Sequence, residues 1–223
     1  MRKIDKSKIL SKNYKDFEKG LKGKKHPTYD SSYKRKYYTD IKMSLLYCQN
    51  GLCAYTEEVL CDPKFIKVEN WDEKQYKIEL EKKDKNEIKG DLEHFDESLK
   101  PKYAFLWDNL FVVNTHNNCR IKGKKPIKNI LKPDSTNYTP EKYLEFFVDT
   151  TTDSYIFIPN SKLSDKEQKD VQYMIETLGL NCVEYERKRQ LEEWLDRYNL
   201  GLPVEPYRYI TAWEMTLVNL RDK

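Results

Sequence analysis

What this sequence lacks narrows its class before any motif is read. Long apolar runs are missing: the longest pieces resemble Tyr103 to Trp107, far below the roughly 20 residues a spanning helix needs, so no membrane role is expected. Behind the basic residues of MRKIDKSKIL comes no apolar stretch of the kind a secretory leader carries, and the cytoplasm is the default compartment. Cysteine is scarce and unpaired in number: five residues, Cys48, Cys53, Cys61, Cys119 and Cys182, without regular spacing, exclude a disulfide framework and point to reduced thiols. Only three histidines occur in 223 residues; a lone histidine is usually structural or exposed, so one counts toward chemistry only where it sits in a motif.

Charge, by contrast, is abundant: 35% of residues are Asp, Glu, Lys or Arg. The net charge is only +4, but residues 1–40 hold 13 Lys and Arg against 5 Asp and Glu, leaving −4 for the rest. Tyr14, Phe17, Tyr29, Tyr33, Tyr37 and Tyr38 are interleaved with those bases. The mixture suits phosphate neutralisation and base stacking; a solvated basic arm is the plainer reading. No repeat or low-complexity linker divides the chain, which predicts a basic N-terminal extension over 1–40 and one domain over 41–223.

Along the chain, residues 1–40 read as irregular or loosely helical, broken at Gly20, Gly23 and Pro27. Thr39 or Asp40 is placed to cap a helix from Ile41 to about Asn50, stopped by Gly51. Residues 63–89 read as a surface excursion with strand pieces at Phe65 to Val68 and Tyr76 to Leu80. Thr139-Pro140 opens a helix through Phe147, and apolar pieces at 146–148 and 155–158 are candidate strands. Ser164 and Glu167 form a capping box for a helix that ends at Gly179, and another runs from about Cys182 to Tyr198. The apolar stripes of these C-terminal helices, within 139–223, are assigned to packing.

The chemistry gathers in residues 88–126. Glu93-His94 ends one β-prone piece, Asn109 opens another in WDNLFVV, and THNNCRIKG reads as a short helix ended by Gly123. Strand, strand and helix would then converge on a His, a carboxylate and amides. Hydrolysis of a phosphodiester needs a base for water, a partner for transition-state charge and help for the leaving oxygen.

The order Glu-His, Asn-Leu and an Asn-bearing helix ending Lys-Gly resembles the HNH, or ββα-metal, endonucleases. MRKIDKS at the start, QNGLCAYTEE before the site, EHF within it and LGLN with Arg187 after it are similar to the PtuB-like HNH proteins of Septu and retron anti-phage systems. The resemblance covers most of the chain and implies an α+β fold, a mainly helical domain around a ββα-metal motif. It implies His94 as general base, Asn109 as the residue that holds the hairpin loop and orients His94, and Glu93 as a metal ligand.

The second ligand is ambiguous: nine residues on from Asn109 falls Asn118, while three back from Lys122-Gly123 falls Cys119. Asn118 is preferred, since a hard cation, Mg²⁺ first and Mn²⁺ next, favours oxygen, whereas Cys119 would tilt the site toward Zn²⁺. Family members often hold a structural zinc on two Cys-x-x-Cys pairs; here Cys53-Ala54-Tyr55-Thr56 and the asparagines at 114, 117 and 118 leave too few thiolates, so none is expected. Lys122, Lys124, Lys125 and His116 are candidate nucleic-acid contacts. Implied partners are nucleic acid, DNA before RNA, a PtuA-like ATPase and retron components, with the C-terminal helices and the Pro203 to Asp222 tail as docking candidates. The alternative is an HNH-shaped binding or adaptor subunit without activity.

Overall fold

Two strands, β1 (Asp91–His94) and β2 (Leu110–Val113), pair antiparallel with Glu93 opposite Phe111 and His94 opposite Leu110. They lie in a computed structural model that describes residues 1–149 and 151–221, an α+β chain with two separate two-stranded sheets. The chain divides into two compact units: one holds Ile4–Ala54 and Val59–Ile127, the other Met1–Lys3, Tyr55–Glu58 and Lys128–Lys223.

In the first unit, helix α1 (Lys12–Leu21) starts at Ser11, whose hydroxyl accepts the Tyr14 N–H at 3.1 Å. Helix α2 (Ser32–Cys48) packs against β2 with Tyr37, Ile41, Ser44 and Leu45 buried, the i, i+4 and i+7 spacing of a helix face. It begins nine residues earlier than the expected helix. Asp40 does not cap it; from mid-helix its carboxylate accepts from the Ser11 hydroxyl at 2.9 Å and the Tyr76 N–H at 2.8 Å. A buried carboxylate with two such partners is satisfied as a brace and has no helix end to serve.

Residues 1–40 are correspondingly not a loose arm. Tyr14 is fully buried and donates to the Phe105 carbonyl at 3.0 Å, and Phe17 stacks on Tyr37 at 4.4 Å and Tyr33 at 5.1 Å. Tyr14 and Tyr37 are buried, which removes them as platforms for bases, while Tyr33 remains exposed. Lys6, also buried, donates to the Trp107 and Leu110 carbonyls at 2.6 and 2.9 Å, and the Trp107 indole returns a bond to the Lys6 carbonyl at 2.9 Å. Residues 63–89 form 3₁₀ turns at Pro63–Phe65 and Val68–Asn70 and a short helix α3 (Lys82–Glu87), with one isolated bridge, Trp71 to Tyr76, in place of the expected strand pieces. A short α4 (Lys100–Tyr103) lies in the loop between β1 and β2.

In the second unit the expected helix after Thr139 is a single turn, α5 (Pro140–Tyr143), because Leu144 already enters β3 (Leu144–Asp149), which pairs with β4 (Ser154–Pro159). Three longer helices follow: α6 (Asp165–Leu178), α7 (Glu184–Asn199) and α8 (Ile210–Arg221). The Ser164–Glu167 capping box forms, and Gly179 ends α6 at φ 65°, where a side chain would be strained. The end of the proposed docking tail, Asp222, lies outside the described residues.

Arg187 is the polar centre of this second unit. Fully buried, its guanidinium donates to the Leu180 and Tyr155 carbonyls at 2.8 and 2.9 Å and to Asn181 Oδ1 at 3.0 Å, and lies 4.9 Å from the Phe157 ring centroid. Burial pulls its pKa down to about 10, still charged near neutrality. Asn181 in turn exchanges two 2.9 Å bonds with the Phe157 backbone. The LGLN stretch and its arginine are thus a joint between α6, β4 and α7. Replacing Arg187 with Leu strands the Leu180 and Tyr155 carbonyls, while Asn181 Oδ1 keeps the Phe157 N–H, and is expected to lower unfolding free energy by about 3 kcal/mol; urea unfolding measures it, and a loss under 1 kcal/mol refutes the joint.

Candidate active site

The site is built from the β1–β2 hairpin and the turn that follows it, and its geometry begins with a backbone problem. A two-stranded hairpin has an open edge on each side, and buried N–H and C=O groups there need partners. Gln49 serves β2: its Oε1 accepts the Val112 N–H at 2.9 Å and its Nε2 donates to the Val112 carbonyl at 2.8 Å. On β1, the Leu92 carbonyl accepts from Asn118 Nδ2 at 3.4 Å and the His94 carbonyl accepts from Lys122 Nζ at 2.9 Å.

Asn118 and Lys122 reach one edge because of how their segment winds. After Thr115 and His116 the chain forms a π-helical turn, Asn117–Lys122, closed by the Gly123 N–H donating to the Asn118 carbonyl at 2.9 Å. Such i to i+5 bonding accommodates one residue more than an α turn. The two sequence counts, to Asn118 and to Cys119, differ by that one residue. Asn118 faces β1, and Cys119 is exposed.

His94, at the end of β1, is 2% exposed. Its Nε2 donates to the Ala104 carbonyl at 2.9 Å, which leaves the lone pair of the neutral ring on Nδ1. Nδ1 lies 3.9 Å from Glu97 Oε2, beyond hydrogen-bond length. Burial lowers the His94 pKa, opposed by the Ala104 bond and helped by the nearby Lys100 charge, so the imidazole is neutral near pH 7. The ring edge of Tyr29 meets it at 5.0 Å. Lys34 and Lys100 lie over the Tyr29 ring at 4.6 and 5.1 Å, and Lys100 pairs with Glu97 at 3.0 Å. His94 therefore has the protonation state of a base but no open path to solvent in this arrangement.

Asn109 is 3% exposed and braces the loop: its Oδ1 accepts the Asp96 N–H and its Nδ2 donates to the Asp96 carbonyl, both at 2.9 Å, while its own carbonyl accepts the Phe95 N–H at 2.8 Å. Orientation of His94 comes instead from Ala104; Asn109 acts on it only by fixing residues 95 and 96. A backbone carbonyl ten residues away leaves no trace in residue identity. The Glu97–Lys100 pair, in contrast, was visible as an i, i+3 charge pair just after His94.

Glu93, 3% exposed, is ion-paired with the ammonium of Lys122, which is 1% exposed. Burial raises the Glu93 pKa to about 7, against the lowering pull of Lys122. Lys122 is accordingly not part of a phosphate-binding rim: its charge is spent on Glu93 and its donors on the hairpin. Lys124, Lys125 and His116 are exposed, and the His116 N–H is bonded to Asn114 Oδ1 at 2.8 Å. Cys53 is buried and its sulfur accepts the Asn114 N–H at 3.4 Å.

As they stand, Glu93 and Asn118 do not fit a divalent metal. The carboxylate already holds a cation, the Asn118 amide nitrogen is turned to Leu92, and among the described residues no group of three His, Cys, Asp or Glu side chains gathers to bind an ion. No protein-family model matches the chain, and no curated protein is significantly similar to it.

The His94 pKa has a sign that stability can report. A folded pKa below the unfolded value of about 6.5 means the unfolded chain takes up the proton first, so the contribution is full above about pH 6.5 and is lost as pH falls through the folded pKa. Between pH 8 and pH 5, wild type is expected to lose more unfolding free energy than His94→Gln. Glu93 titrates in both chains and cancels in the difference. Parallel pH curves for the two proteins in guanidinium unfolding refute a neutral buried His94.

Proposed function

We propose that this chain is a nucleic-acid phosphodiesterase of the HNH kind, its hairpin and π turn forming the ββα core, with His94 as general base and DNA favoured over RNA. The observation that carries the reading is the tautomer: the Ala104 carbonyl accepts a hydrogen bond from the His94 Nε2–H and leaves Nδ1 as acceptor on a neutral ring, the state a base for water requires. Asn109 supports it by pinning the residues just after His94. The exposed Lys124 and Lys125, beyond the π turn, supply cations for a phosphate backbone. A divalent metal, Mg²⁺ first, belongs to this reading only in an arrangement where Lys122 has left Glu93. A PtuA-like ATPase, in an anti-phage setting with or without retron components, is the partner the resemblance brings, and release by such a partner accords with a buried His94.

A second reading, an inactive binding or adaptor subunit, is favoured by the same burial of His94 and the closed Glu93–Lys122 pair. Cleavage separates the two. Plasmid DNA and a single-stranded RNA are incubated with the chain and Mg²⁺ or Mn²⁺, beside His94→Ala. The nuclease reading expects cutting that falls at least about 100-fold in the variant, the usual scale of a lost general base. Binding without cutting by both proteins selects the adaptor, and cutting that His94→Ala retains removes His94 from the chemistry.

A further inference from the structure

We infer that Lys122 is the internal cation of this site, and that it excludes a divalent metal from Glu93. The ammonium touches the Glu93 carboxylate and donates to the His94 carbonyl at 2.9 Å. A carboxylate and a backbone carbonyl are the oxygen donors a hard cation takes. One pair of oxygens therefore serves either the lysine or a metal, because two cations at hydrogen-bond distance repel each other in a buried site. Both side chains are almost wholly enclosed, Lys122 at 0% and Glu93 at 4% side-chain exposure, so water does not screen that competition.

Lys122 is the last residue of the π turn, and Gly123 follows at φ 51° and ψ −127°, a backbone state that only glycine adopts without strain. Nothing lies within 4 Å of the position a Cβ would take at Gly123. For a metal to take Glu93 the Lys122 stem has to withdraw from it, while Asn118 can keep its own place on the Leu92 carbonyl. In the described arrangement the β1 edge is sealed and Glu93 is engaged.

This rests on the nuclease reading only in taking Glu93 as the carboxylate a metal would use, and its test reads metal occupancy, so a chain that cuts nothing still decides it. Mn²⁺ binding to the full chain is followed by electron paramagnetic resonance of the free ion, for wild type, Lys122→Met, Glu93→Gln and the double variant. Lys122→Met is expected to bind Mn²⁺ at least about tenfold more tightly than wild type, and the double variant to lose that gain, because the freed carboxylate is the new ligand. Lys122→Gln, which keeps a donor for the His94 carbonyl without the charge, repeats the test should the methionine variant not fold. The inference is overturned if neither variant binds more tightly than wild type, if the gain survives Glu93→Gln, or if wild type already binds at a site that Glu93→Gln removes.

Discussion

The candidate site depends on sealing the free edges of one short hairpin with side chains instead of further strands. A two-stranded sheet is marginal by itself, and β1 and β2 offer only four paired positions. What makes them a scaffold is that Gln49 reproduces both halves of a strand partner at Val112, while Asn118 and Lys122 take the Leu92 and His94 carbonyls. Leu110, Phe111, Val112 and Val113 are then buried without exposing the Val112 backbone polar groups. The π turn is the local cost of this arrangement, since it is the winding that brings residues 118 and 122 to the same edge.

This solution couples structure to chemistry. Lys122 reaches the His94 carbonyl while its charge lies on Glu93, so the group that closes the edge also sets the electrostatics beside the imidazole. His94 is fixed from the other side by Ala104, in the loop that Asn109 braces. Imidazole, carboxylate and ammonium are therefore gathered at a single strand end. The π turn touches Glu93 and the His94 carbonyl through the one side chain of Lys122, and the Ala104 bond lies on residues outside it.

Much of this local order was legible. Glu93-His94 at a strand end, Asn109 at the loop, the stop at Gly123 and the Ser164–Glu167 box all rest on short-range rules, and those rules act within a few residues. The failures share a different cause. Tyr14, Phe17 and Tyr37 looked like stacking platforms because aromatic residues among lysines serve both interfaces and cores; the choice is made by Phe105 and Trp107, some ninety residues on. Asp40 looked like a cap because a helix boundary was expected at that point, whereas its partners are Ser11 and Tyr76. Lys122 looked like a rim residue because lysine is seldom buried, and nothing local announces a carboxylate that arrives from residue 93.

The charge on that pair calls for a reason beyond stability. Removing two ions from water costs several kcal/mol each, and a well-packed apolar pair commonly stabilises a protein as well or better. Sealing the β1 edge at His94 needs one donor, which an uncharged amide supplies as Asn118 does at Leu92. Neither burial nor the edge therefore accounts for an ammonium on a carboxylate at 93 and 122. What the ionic form adds is exchangeability, because a carboxylate paired with one cation can be taken over by another, which an apolar pair cannot offer. That property has a use at a strand end that also carries a neutral histidine, and none in an ordinary core.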